Sequence, residues 1–160
     1  MWERILRSIG YNGSILLFIL TLFLLPTKTL VLAYILGNIL NMSINALLKE
    51  WIAEPRPSNE YQHIDVFGKI HEKKVDELGF HEYGMPSGHA QSIWFTVVFV
   101  WYVLRNPHLL FVFVCLAIFT SVQRIVLKGH TWEQVFAGSI LGGGLGFLTY
   151  RYRRLCDITR

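Results

Sequence analysis

Three short clusters in the sequence concentrate strong cations and imidazoles. Lys49 is followed after six residues by Arg56 and Pro57, then comes Pro86-Ser87-Gly88-His89, and Arg124 is followed after five residues by His130. Such a set suits phosphoryl transfer. Fixed cations neutralise phosphoryl oxygens, Arg through a planar bidentate fork and Lys as a point charge. Pro55 and Pro57 end any helix that carries Lys49 and hold Arg56 in an extended segment, so the two cations can approach one anion from different directions. A helix starting near Ser87 aims free N–H groups and its positive dipole end at an anion, and Gly88 lets the backbone come close. One histidine can attack phosphorus while the other protonates the leaving oxygen, and both tasks suit a pKa near neutrality. No Asp/Glu pair or His cluster has the spacing of a divalent-metal site, so the chemistry is expected to need no metal and no other cofactor. Singly, the cations read more readily as interfacial anchors and the histidines as helix caps or hydrogen-bond partners. Their order and spacing together point to a site.

The elements that must position these residues are apolar. The 160-residue chain is 52% hydrophobic with a mean hydropathy of +0.39, well above a soluble domain. A single membrane domain over residues 1–160 is expected. Windows of about 20 apolar residues, the length that spans a hydrocarbon core, fall at about Leu6–Leu25, Leu30–Leu48, Ala90–Leu104, His108–Leu127 and Trp132–Tyr152. The fold class is therefore all-α, a polytopic membrane bundle of about five helices. Arg105, Asn106 and Pro107 join the third and fourth in a tight antiparallel hairpin. The first window has basic residues before it but no small-residue cleavage site after it, and is read as a retained helix rather than a signal peptide.

The one long polar stretch, about 58–85, carries three lysines and six acids. It is read as solvated charge, with a cover over the site as the alternative. Lys28, Arg105, Arg151, Arg153, Arg154 and Arg160 against Asp157 put an excess of positive charge at the opposite ends of the helices. The positive-inside rule then places the C-terminus in the cytoplasm and the long loop, with all three clusters, on the far side. Gly138, Gly142 and Gly146 line one face at four-residue spacing, which admits a close neighbour and could also serve an oligomer. Asn38, Asn41 and Asn45 share a face of the second helix and are expected to hydrogen-bond across helices. Scattered basic residues form no nucleic-acid-binding face, and Cys115 and Cys156 form neither a disulfide framework nor a thiolate metal site.

The three clusters resemble the three-part signature of the type 2 phosphatidic acid phosphatase superfamily, which also includes vanadium haloperoxidases; the match spans residues 49 to 134. The resemblance implies a metal-independent hydrolase in which His130 is the nucleophile, forming a phosphohistidine, and His89 the general acid. It implies that Lys49, Arg56, Ser87, Gly88 and Arg124 bind the substrate phosphate. Two positions depart from the general pattern: Gln123 stands where Ser is usual, and Gln134 where an Asp usually orients the nucleophile and stabilises its cation. Glu133 could replace that carboxylate only if the helix start were rotated. The run His130-Thr131-Trp132-Glu133-Gln134 is similar to the dolichyl diphosphatase branch, as are Glu54-Pro55-Arg56-Pro57 and Tyr83 through Gln91. Gln134 then takes the orienting role. The branch implies an isoprenoid diphosphate as substrate, membrane lipid around the protein, and, in a eukaryote, the endoplasmic reticulum membrane with a lumenal site. A broader lipid phosphatase acting on phosphatidic acid or undecaprenyl diphosphate, a haloperoxidase, and an inactive membrane scaffold are the competing readings. The superfamily usually has six helices against the five windows here.

Overall fold

The computed structural model describes residues 2–57, 60–64, 70–74 and 83–158. Five helices, α1 (Trp2–Leu24), α2 (Lys28–Ile52), α3 (Gly88–Leu104), α4 (Pro107–Val126) and α5 (Trp132–Ile158), form a bundle in which α3 is central and packs against all four others. Their ends follow from local chemistry. α1 stops short of Pro26, which has no N–H to continue a helix. Thr27 caps α2 by accepting from the Leu30 amide at 3.3 Å, and α2 ends as Ala53 turns left-handed (φ 50°) and donates its N–H back to the Lys49 carbonyl. The α3–α4 hairpin is as tight as its sequence suggests: Arg105 is left-handed, the Asn106 side chain accepts from the amides of His108 and Leu109, and Pro107 takes the first helical position.

Leu17, Ile93, Val97, Val100, Phe113 and Ala117 fill the space between α1, α3 and α4, while Leu30, Tyr34, Phe95 and Phe99 join α2 to α3. Large apolar side chains also cover the outside. Phe23, Leu32, Leu47, Phe111, Val126, Phe136 and Ile140 are all exposed, on α1, α2, α4 and α5, which is the surface a lipid-embedded bundle presents. By length and composition α2 and α4 suffice to cross a membrane, while the apolar stretch Ser8–Leu24 of α1 and α3 are shorter. α5 extends six residues beyond the apolar window because charge at Arg151, Arg153 and Arg154 ends a hydrophobic run without ending a helix. The polar stretch is not featureless: β1 (Glu60–Ile64) and β2 (Ile70–Lys74) pair antiparallel with Glu60 opposite Lys74, a ribbon that the loop reading missed. Whether the stretch covers the site falls partly on residues 65–69 and 75–82, outside the described residues.

Three of the five glycines of α5, Gly138, Gly142 and Gly146, face α3 of the same chain. A methyl group at Gly138, Gly142 or Gly146 would run into the carbonyl oxygens of Ser87, Gln91 and Phe95 respectively. This corrects the oligomer reading of that face, which is filled internally and is not available to a second copy. Gly142→Ala must push two backbones apart and should cost about 1–3 kcal/mol. Gly144 is exposed with open space around it, so Gly144→Ala should be neutral or stabilise by up to about 1 kcal/mol through helix propensity. Thermal unfolding in detergent checks the pair, and equal midpoints for the two variants would contradict the packing.

Candidate active site

The site is assembled at one end of the bundle by stitching the segment after α2 to the segment before α3. The Gly84 amide donates to the Glu54 carbonyl at 2.7 Å, Pro55 bridges to Tyr83, and Lys49 Nζ donates to the Tyr83 carbonyl. A polar ladder fixes the start of α3. Asn45 donates to the Pro86 carbonyl at 3.2 Å and to Gln91 Oε1 at 2.7 Å, while the Gln91 amide donates to the backbone and side-chain oxygens of Asn41. Asn41 and Asn45 thus do bond across helices as their spacing suggests, whereas Asn38 donates to the Tyr34 carbonyl within its own helix. Ser87, at the N-cap, is fully buried and its hydroxyl has no hydrogen-bond partner among the described residues, although the Ser87 amide donates to the Gln134 carbonyl at 3.0 Å. An orphaned buried donor beside the open first turn of a helix is what a site for an oxyanion provides.

The five-residue spacing from Arg124 to His130 is a helix-ending turn. Lys128 is left-handed (φ 53°), and the amides of Gly129 and His130 both donate to the Arg124 carbonyl, at 3.1 and 3.2 Å. Arg56 then crosses from the α2 side, donating to the Gly129 carbonyl at 2.8 Å and lying 3.3 Å from His130 Nε2. The other ring nitrogen settles the tautomer. Gln134 Nε2 meets two oxygens, Glu54 Oε1 at 2.7 Å and the Pro55 carbonyl at 3.0 Å, and its Oε1 accepts from the Thr131 amide, so the orientation of the amide is fixed. Both neighbours of His130 Nδ1, the Gly84 carbonyl at 2.9 Å and Gln134 Oε1 at 3.2 Å, are therefore acceptors. Nδ1 carries the proton, and Nε2 offers its lone pair toward the cations. Burial, followed by Arg56, Arg124, Lys49 and His89, holds the His130 pKa well below the usual value of 6.5.

Lys49, Arg56, Gly88, His89, Arg124 and His130 all line one cavity of about 740 Å³. Ser87 and Gln134 are buried immediately behind it. From this cationic end the cavity continues as an apolar groove between α1 and α2, past Ile15, Phe18, Ile35 and Ile39. Three participants were missed in the sequence. Tyr11 of α1 stacks 4.8 Å from the Arg124 guanidinium and 5.1 Å from the His89 ring; Gln91 belongs to the ladder; Glu54 holds Gln134. Gly10, beside Tyr11, makes room for the Gln123 side chain where α1 meets α4 but gives no sign of the ring's role. Glu133 is exposed and does not replace the usual carboxylate. Among the described residues no three His, Cys, Asp or Glu side chains converge as a metal ion would require.

Comparison with known proteins places this arrangement. The chain is 32% identical over 139 residues to dolichyldiphosphatase 1 of Mus musculus and of Homo sapiens, a match covering 77% of this chain and 52% of each relative. It thus spans about half the length of these relatives. Over 71 residues it is 41% identical to lipid A 4'-phosphatase of Helicobacter pylori, covering 44% of this chain and 35% of that one. In three dimensions it resembles a transmembrane PAP2-type phosphatidylglycerolphosphate phosphatase from Bacillus subtilis with a TM-score of 0.64 at 20% identity, over 93% of this chain and 73% of that structure. The model of the PAP2 superfamily matches residues 29–157, from the start of α2 almost to the end of α5, and the chain belongs to that superfamily.

Proposed function

We propose that the chain is an integral-membrane lipid phosphatase that hydrolyses dolichyl or another polyprenyl diphosphate to the monophosphate and inorganic phosphate. The observation that carries this reading is the lone pair of His130 Nε2, held beside Arg56 at the head of an apolar groove. Lys49, Arg56, Arg124, the Ser87 hydroxyl and the Gly88 amide bind the terminal phosphate. Nε2 attacks phosphorus, an N–P bond forms, the P–O bond to the lipid monophosphate breaks, and His89 protonates the leaving oxygen. Water then cleaves the phosphohistidine. The polyprenyl chain lies in the groove between α1 and α2. The dolichyldiphosphatase relatives support the isoprenoid substrate, and with it a lumenal site in the endoplasmic reticulum membrane if the cell is eukaryotic. The lipid A 4'-phosphatase match favours, as a second reading, a broader range of lipid phosphates.

Phosphate release from dolichyl diphosphate, undecaprenyl diphosphate, phosphatidic acid and lipid A in detergent tests the class and ranks the substrates. Activity is expected to survive EDTA, because side-chain cations neutralise the phosphate, and to be inhibited by vanadate. Loss in EDTA with recovery in magnesium would overturn the mechanism.

The two histidines should fail differently. His130→Ala removes the nucleophile and should abolish turnover with every substrate. His89→Ala removes general-acid help worth roughly 10²–10⁴-fold and should spare an activated leaving group such as p-nitrophenolate. Because the attacking imidazole must be neutral and its pKa in the free protein is lowered, the acid limb of kcat/KM should lie below pH 6.5. In kcat it should shift upward, since bound phosphate favours the imidazolium. Equal residual rates for both variants across leaving groups, or an acid limb of kcat/KM above 6.5, would contradict the assignment.

A further inference from the structure

His130 sits among charges of one sign. Lys49 from α2, Arg56 from the segment that follows, His89 from α3 and Arg124 from α4 all disfavour its protonated form. A phosphorylated or protonated imidazole in that setting needs a compensating negative charge, and position 134 supplies only a neutral amide. The amide is nevertheless not isolated. Its Nε2 donates to Glu54 Oε1 at 2.7 Å and to the Pro55 carbonyl at 3.0 Å, so both amide protons are used, while its Oε1 accepts from His130 Nδ1 at 3.2 Å and from the Thr131 amide. Gln134 is fully buried and Glu54 half-buried, and the Glu54 backbone is fixed by the Gly84 amide, from the same residue whose carbonyl also accepts from Nδ1. A methyl group at Gly84 would collide with the Gln134 amide, so that amide has no alternative seat on this side.

We propose that Glu54 is a positioning residue that acts through Gln134, its carboxylate polarising the amide so that a Glu54–Gln134–His130 chain orients the imidazole and stabilises its cationic form. Glu54 and Arg56 lie two residues apart in the extended segment that α2 feeds into the site. One side chain thereby reaches behind the histidine while the other reaches in front of it. An amide between two acceptors and two donors transmits orientation rigidly and charge at a distance. The imidazolium is favoured less than by a direct carboxylate, so the free imidazole stays neutral and nucleophilic to lower pH.

The inference rests on the reading of His130 as the nucleophile, and its test does not require turnover. Protein labelled with 15N in the histidine rings is titrated by NMR in detergent micelles, with the His130 signals assigned by their loss in His130→Ala. Wild type should show Nδ1 protonated in the neutral state, a result that needs no variant and overturns the chain if the proton is on Nε2. Glu54→Gln keeps an acceptor for Gln134 and deletes only the charge. It should move the His130 titration to lower pH by roughly 0.5–1 unit, and Glu54→Asp should restore most of the shift. In phosphate release, Glu54→Gln should lower kcat about ten-fold with KM unchanged or lower, and shift the acid limb in the same direction; a merely structural residue would raise KM and leave the limb in place. An unmoved His130 titration in Glu54→Gln defeats the inference alone if wild type releases lipid phosphate. A wild type that titrates as expected but releases none defeats the proposed function and leaves the chain standing.

Discussion

Everything in this structure answers to one electrostatic demand: Lys49, Arg56 and Arg124 must be held against one another and against His130 at the end of an apolar bundle. Like charges in a poorly polarisable setting repel strongly, and burying them costs more still. The protein meets the cost with backbone carbonyls. Lys49 donates to Tyr83, Arg56 to Gly129, and Tyr11 lays its ring against Arg124. These acceptors carry only partial charge, which suits the anion-binding role proposed for the three cations.

The same demand explains why α3 lies in the middle. It brings the open N–H groups of its first turn, His89 and the buried Ser87 hydroxyl to the cations, and it must be held there to within a fraction of an ångström. Glycines on α5 let the two backbones touch, so the start of α5, directly after His130, is registered against the start of α3. The ladder through Asn41, Gln91 and Asn45 fixes α2 to the same point. Packing and the geometry of the candidate site are here a single problem.

Much of this was legible in the sequence. The five helices follow from hydropathy, and the spacings Lys49 to Arg56 and Arg124 to His130 are readable because each is a local device, a proline-terminated helix end and a left-handed turn. What was not legible depends on pairs distant along the chain. Glu54 lies 80 residues from Gln134, and nothing local marks Tyr11 as the ring that covers Arg124. The oligomer reading of the α5 glycines failed for the same reason, since small-residue spacing tells that a backbone comes close without telling whose. Helix length at the C-terminus was underestimated because charge marks the edge of a bilayer and not the edge of a helix.

Two acceptors on one ring nitrogen also decide regiochemistry. With Gly84 and Gln134 both accepting at Nδ1, moving the proton to Nε2 would set the Nδ1 lone pair against a carbonyl and an amide oxygen and leave a buried N–H pointing at a guanidinium. That tautomer is closed to His130. A histidine has two nucleophilic atoms of similar basicity, and an enzyme that left them interchangeable would present the wrong one half of the time. In the reaction proposed above, that choice is made before any ligand arrives, by the Gly84 and Gln134 oxygens behind the ring.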